Sequence, residues 1–163
     1  MIYSKTCEYA IRALSCFEAH GPAQAMSVED VSRQTKVPRA YVAKIFQALV
    51  KSRILASRRG PGGGFSLRMP AKDLTVLRVM QALDDPAASP FVRCVMGLHE
   101  CNDRNPCPLH EVWSAAKENI LTCVSKCTVS DLAGLVDDFP SGTGKRTTLS
   151  KKMRHVFTPP KGA

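Results

Sequence analysis

Cys94, Cys101 and Cys107 follow one another at C-x6-C-x5-C spacing, and His110 comes shortly after the last of them. Thiolates are soft donors suited to iron–sulfur clusters and to zinc, and an imidazole can complete either kind of site. The plainer reading is three unliganded thiols, because the chain holds seven cysteines in all. Those seven do not suggest a disulfide framework if the protein works in a reducing compartment. Cys123 and Cys127 stand four apart and share a helix face, as redox thiols, alternative ligands or small buried residues. Cys7 and Cys16 read as small buried residues.

A second kind of chemistry is electrostatic. The net charge of +9 is unevenly placed: residues 1–70 carry +7, residues 71–139 carry −4, and residues 140–163 carry +6. A basic front segment suits an anionic polymer, although charge by itself does not separate nucleic acid from a membrane surface or from an ordinary solvated face.

The elements that would position these groups are legible from periodicity. Ser4 to His20 forms a helix with Ala10, Leu14 and Phe17 on one side, stopped by Gly21-Pro22. Ser27-Val-Glu-Asp30 fits a capping box and starts a short helix reaching about Thr35. After a turn at Lys36-Val37, Pro38 opens a helix to Ser52 in which Val42, Ile45, Phe46, Leu49 and Val50 form one buried stripe. The other face offers Ala40, Ala43, Lys44, Gln47 and Lys51, with Arg39 at its edge. Small, amide-bearing and cationic side chains are what a helix needs to enter the major groove. Alone, such a helix is equally an amphipathic surface helix.

The next segment decides between them. Ile54–Ser57 and Phe65–Leu67 read as short strands joined by Arg58-Arg59-Gly-Pro-Gly62-Gly63-Gly64, a two-stranded ribbon with a glycine-rich tip. Arg58, Arg59, Gly62 and Gly63 are placed to meet a phosphate backbone or minor groove. A nucleotide-binding loop is excluded, since no Gly-Lys-Ser/Thr motif and no helix follow. The expectation is a winged helix-turn-helix over residues 1–83, mainly α with a small two-stranded β-wing.

Asp73 to Leu83 reads as a further helix, and residues 84–107 as a long cysteine-containing loop that has a task or is disordered. Pro108 opens a long helix whose Leu109, Val112, Trp113, Ala116, Ile120 and Val124 keep one face. That face either pairs two subunits or folds back onto its own winged domain. Thr128-Val-Ser-Asp131 caps a closing helix, giving a dimerisation unit over 108–139, and residues 140–163 read as a basic disordered tail. No apolar run is long enough to span a bilayer, and the first residues lack a secretory layout. A cytoplasmic protein without a membrane partner is expected.

Taken together, these features resemble the bacterial winged-helix regulators of the IscR, NsrR and RirA type, the Rrf-two family. The resemblance rests on Tyr9-Ala10 in the first helix, on Val31, Pro38, Tyr41 and Leu49, and on Arg59-Gly-Pro-Gly-Gly-Gly-Phe65. It rests also on the cysteine triplet and on Cys107-Pro-Leu-His110-Glu-Val-Trp113. It covers about residues 1–136 and implies a homodimeric transcription factor on a palindromic or pseudo-palindromic double-stranded operator. It implies further that Cys94, Cys101 and Cys107 hold an iron–sulfur cluster. The fourth ligand is then His110, with a 2Fe–2S cluster, or Glu8 of the partner subunit, with another type such as 4Fe–4S. The first cysteine spacing is one residue longer than in IscR-like members. Ala43 stands where those members can carry an acidic residue that sets specificity, so their operator sequence does not transfer. The signal would be redox state, nitric oxide or iron status. A zinc-bound or thiol-based regulator is the alternative, and a small electron-transfer protein a further one. No enzyme is expected, because neither a nucleophile–base constellation nor a dinucleotide fingerprint is present.

Overall fold

The computed structural model describes residues 3–20, 24–84, 94, 96–97 and 102–133. In chain order it has α1 (Lys5–His20), α2 (Val28–Thr35), α3 (Arg39–Lys51), β1 (Leu55–Arg58), β2 (Gly64–Leu67), a 3-10 turn (Ala71–Asp73), α4 (Val76–Ala82), α5 (His110–Lys126) and α6 (Val129–Ala133). Mainly α with a two-stranded wing is therefore the fold. The basic segment 140–163 lies outside the described residues, as does most of the stretch between α4 and α5.

The first helix is the hub. Cys7, Ala10, Ile11, Ala13, Leu14 and Phe17 are all fully buried, because α1 is packed by α2, α3, α4 and α6 together. The expected apolar side was real, but burial extends around most of the helix. Cys16 is buried as well, where its thiol donates to the Arg12 carbonyl.

Ser27 caps α2 as its sequence demands, its Oγ accepting from the Asp30 amide at 3.1 Å. The other arm of the box differs from expectation: the Asp30 carboxylate accepts from the Ser27 hydroxyl at 2.6 Å. That bond and Arg33 hold the Asp30 carboxyl below its ordinary pKa, the Ser27 contribution being the larger. At the other end Lys36 takes a left-handed conformation, with φ of 57°. The turn it makes is fastened on both sides. Ser32 Oγ donates to the Val37 carbonyl at 2.7 Å, and the Val37 amide donates to Thr35 Oγ1 at 3.3 Å. Pro38 stands just outside α3 as its cap, where a missing amide costs nothing.

On α3 the predicted stripe is buried at Val42, Ile45, Phe46 and Leu49. Phe46 joins the two halves of the motif, lying 5.9 Å from the Phe17 ring and 4.8 Å from the Phe65 ring. The strands pair antiparallel from Leu55 opposite Leu67 to Arg58 opposite Gly64. Met26 adds an isolated rung on the other edge of β2 by exchanging two backbone hydrogen bonds with Phe65, at 2.8 and 2.9 Å. Gly64 is required there: its φ is +148°, and a Cβ would stand 2.7 Å from the Met26 carbonyl oxygen.

The segment expected to be one helix from Asp73 to Leu83 is divided. Leu74 is extended, and Thr75 caps α4 by accepting from the Arg78 amide. The division has a tertiary cause. Thr75 pairs with Thr128, the Val76 amide donates to the Cys127 carbonyl, and the Val129 amide donates to the Leu74 carbonyl, both at 2.8 Å. The junction of α5 and α6 is thus stitched to the start of α4. Val124 and Val129 enter the core, and Ser130 hydrogen-bonds Glu18 of α1. The far end of α5 therefore does pack on its own domain, whereas its first turns leave Leu109 and Val112 exposed.

Candidate nucleic-acid interface and metal centre

Burial of one stripe of α3 turns the opposite one outward. Ala40, Lys44, Gln47 and Lys51 are exposed and Ala43 is half-buried. Arg39 is also exposed, and its Nη1 lies 3.0 Å from the Glu29 carboxylate. Tyr41 is 54% exposed on the flank of the same helix, its ring 5.9 Å from Tyr9 of α1, edge to face. Sequence periodicity places Tyr41 between the buried and the open faces, and its role as an α1 contact was not legible.

The wing tip supplies the second part of this surface. Arg58, Arg59 and Gly62 are exposed and Gly63 is half-buried. Gly60 and Gly62 take φ of +97° and +70°, and the Gly63 amide donates to the Gly60 carbonyl at 2.8 Å. A side chain at Gly63 would run into the Arg58 carbonyl oxygen. These glycines narrow the tip so that both arginines flank a slender ribbon.

The cysteine segment is described at Cys94 and Cys107, while Cys101 lies outside the described residues. Cys94 is buried, Cys107 is half-buried, and their sulfurs are 3.4 Å apart. That exceeds the ~2.05 Å of a disulfide bond. It is close to the ~3.7 Å that separates two sulfurs held tetrahedrally by one ion at ~2.3 Å each. The pair thus fits a shared metal or cluster. His110 is one turn on, its amide donating to the Cys107 carbonyl at 2.9 Å. Its Nε2 is 2.9 Å from the carboxylate of Asp103, a partner that no spacing rule would have found. Among the described residues no three His, Cys, Asp or Glu side chains converge as a complete metal site.

Glu8 faces inward. It is only 6% exposed, with Lys5 Nζ at 2.8 Å and Arg12 Nη1 at 3.7 Å. Arg12 in turn donates to the Thr35 carbonyl at 2.7 Å, which ties this ion cluster to the helix-turn-helix turn.

Cys123 and Cys127 are both half-buried at the end of α5. Burial first, then the nearby Asp131 and Cys123, push the Cys127 thiol up to about 11. Burial likewise raises Tyr3, with Cys7, Glu8 and Cys127 adding to the shift. A protonated, desolvated thiol is a poor nucleophile and a poor ligand, so Cys127 fits the packing role.

Among the described residues no helix is long and apolar enough to cross a membrane. The family model of Rrf2, an iron-dependent transcriptional regulator, matches residues 3–134. A putative HTH-type transcriptional regulator of Aquifex aeolicus is 31% identical over 137 residues, covering 83% of this chain and 93% of that protein. The HTH-type transcriptional regulator IscR of Yersinia pseudotuberculosis is 29% identical over 129 residues, covering 79% of this chain and 77% of its own. Among solved structures, CymR, the global cysteine regulator of B. subtilis, superposes with a TM-score of 0.66 at 16% identity, over 80% of this chain and 95% of that one. T. potens IscR superposes with a TM-score of 0.62 at 17% identity, over 86% and 92%. Both share this fold.

Proposed function

The chain belongs to the Rrf2 family of winged-helix DNA-binding transcriptional regulators, and on that premise we propose that it is a dimeric operator-binding protein whose affinity is set by an iron–sulfur cluster on Cys94, Cys101 and Cys107. The observation that carries the sensory part is the 3.4 Å approach of the Cys94 and Cys107 sulfurs just before α5. A bound cluster would supply reversible electron transfer and reactivity toward oxidants and nitric oxide.

His110 completes the ligand set of a 2Fe–2S cluster, since it shares a turn with Cys107 and Asp103 orients its ring. Glu8 of the partner subunit is the other candidate and fits a 4Fe–4S cluster. To serve, it would have to leave Lys5 and Arg12 within its own subunit.

The protein residues do the rest. Lys44, Gln47 and Lys51, with Arg39 once released from Glu29, line the helix that enters the major groove, and Ala40 and Ala43 let it approach closely. Arg58 and Arg59 meet backbone or minor groove, and Gly62 and Gly63 let the wing come close. The outward face of α5 pairs two subunits, so that two α3 helices reach half-sites about 34 Å apart. Pinning of Cys94 and Cys107 next to the start of α5 would bias that pairing, and with it the population of the binding-competent dimer.

Oxygen-free protein should absorb in the visible and contain iron and acid-labile sulfide, and Cys107→Ala should lose both. Colourless, iron-free protein that still discriminates its operator would overturn the sensory reading. Stoichiometric zinc in its place would establish the zinc-bound regulator instead.

A further inference from the structure

Trp113 is the one tryptophan of the chain, and its indole Nε1 is closed off from solvent with no acceptor among the described residues. An N–H buried without a partner gives up its bond to water and gains none in return. Such atoms are rare, and each calls for an acceptor beyond the described residues, such as a water, an ion or a bound group.

The geometry of α5 narrows where that acceptor sits. Trp113 is three residues after His110 and four before the buried Lys117, on the stripe that runs through Leu121 and Val124 into the core. Val112, 75% exposed, lies outside this stripe, on the side left for a second subunit. The indole therefore lies on the same side of α5 as His110, the residue that opens the helix and whose amide is bonded to the Cys107 carbonyl. The Cys107 sulfur in turn stands 3.4 Å from that of Cys94.

We infer that the Trp113 indole N–H donates a hydrogen bond to a sulfur of the iron–sulfur group and thereby sets its reduction potential. This rests on the cluster reading proposed above. Electron-rich thiolate and sulfide accept hydrogen bonds, and donors to cluster sulfurs stabilise the more negative, reduced state, which raises the potential. Trp113 is then a positioning and tuning residue, not a ligand.

Trp113→Phe removes the N–H and keeps one aromatic ring, and it is to be compared with wild-type full-length chain, both cluster-loaded and metal-free. Loaded Trp113→Phe should retain the wild-type iron and sulfide content but show a more negative reduction potential. It should also lose iron to a chelator faster, by about tenfold if the bond acts as other outer-shell contacts do. In wild type the single indole should be quenched by the cluster and recover its emission when the iron is stripped, a readout needing no variant. An unchanged potential and loss rate, or an emission indifferent to iron, would overturn the inference and leave the cluster reading standing. Wild-type chain that binds neither iron nor sulfide would overturn both.

Discussion

Arg12 keeps its charge inside the molecule, between the Glu8 carboxylate of its own helix and the Thr35 carbonyl at the end of α2. Lys5 would still neutralise Glu8, but the buried Thr35 carbonyl would lose its charged donor, so Arg12→Ala should lower stability by about 1–3 kcal/mol in urea unfolding. Arg59 is the opposite case, an exposed cation at the wing tip whose loss should cost no stability. Arg59→Ala should weaken DNA binding generally and reduce the slope of log affinity against log salt by about 1. An unchanged slope would remove Arg59 from the interface. Cys127 gives a pH signature. Its folded-state value of about 11 lies above the ordinary 9.0. A raised acid contributes stability that is complete below pH 9 and is lost as pH climbs from there toward 11. Cys127→Ala should flatten the alkaline limb of the stability profile over that window.

The elements hold their places through contacts that lie outside them. The wing is anchored by Met26, which leaves no room for a side chain at Gly64. Gly64→Ala should break the Met26–Phe65 rung and loosen the ribbon, weakening DNA binding more than a change at the open Gly62 does. Hydrogen exchange at the Met26 and Phe65 amides would report it directly. The turn between α2 and α3 accepts a left-handed lysine where glycine is the ordinary choice, because Ser32 and Thr35 side chains fasten it from both ends.

At the scale of the whole molecule, α5 serves two masters. Its last turns are pinned by Cys127, Val124 and the α6 junction to the core of the winged domain, and its first turns carry the exposed Leu109 and Val112 beside the cysteine segment. A helix rigidly rooted at one end and open at the other can carry a change near Cys107 toward the DNA-reading half. Val112→Glu should convert a dimer to monomer in analytical ultracentrifugation with little loss of monomer stability, since an exposed side chain contributes almost nothing to the fold. A dimer untouched by that change would place the subunit interface elsewhere.

The wing and the reading helix were legible because their signals are local. The α3 stripe, the Ser27 cap, the Lys36 turn and the glycine tip each depend on residues a few positions apart. The same holds for the thiol spacing, which singled out Cys94 and Cys107 without showing how near they come. What escaped is long-range. The pairing of Thr75 with Thr128 split the expected fourth helix, Met26 crossed to the wing, Asp103 found His110, and Glu8 turned in toward Arg12. Sequence by itself determined which segments are helix and which are ribbon, because periodicity and capping are properties of neighbours along the chain. Tertiary structure alone decided how far burial reaches around α1, which end of α5 is rooted in the core and which polar groups are paired, because burial depends on what the rest of the chain brings against them.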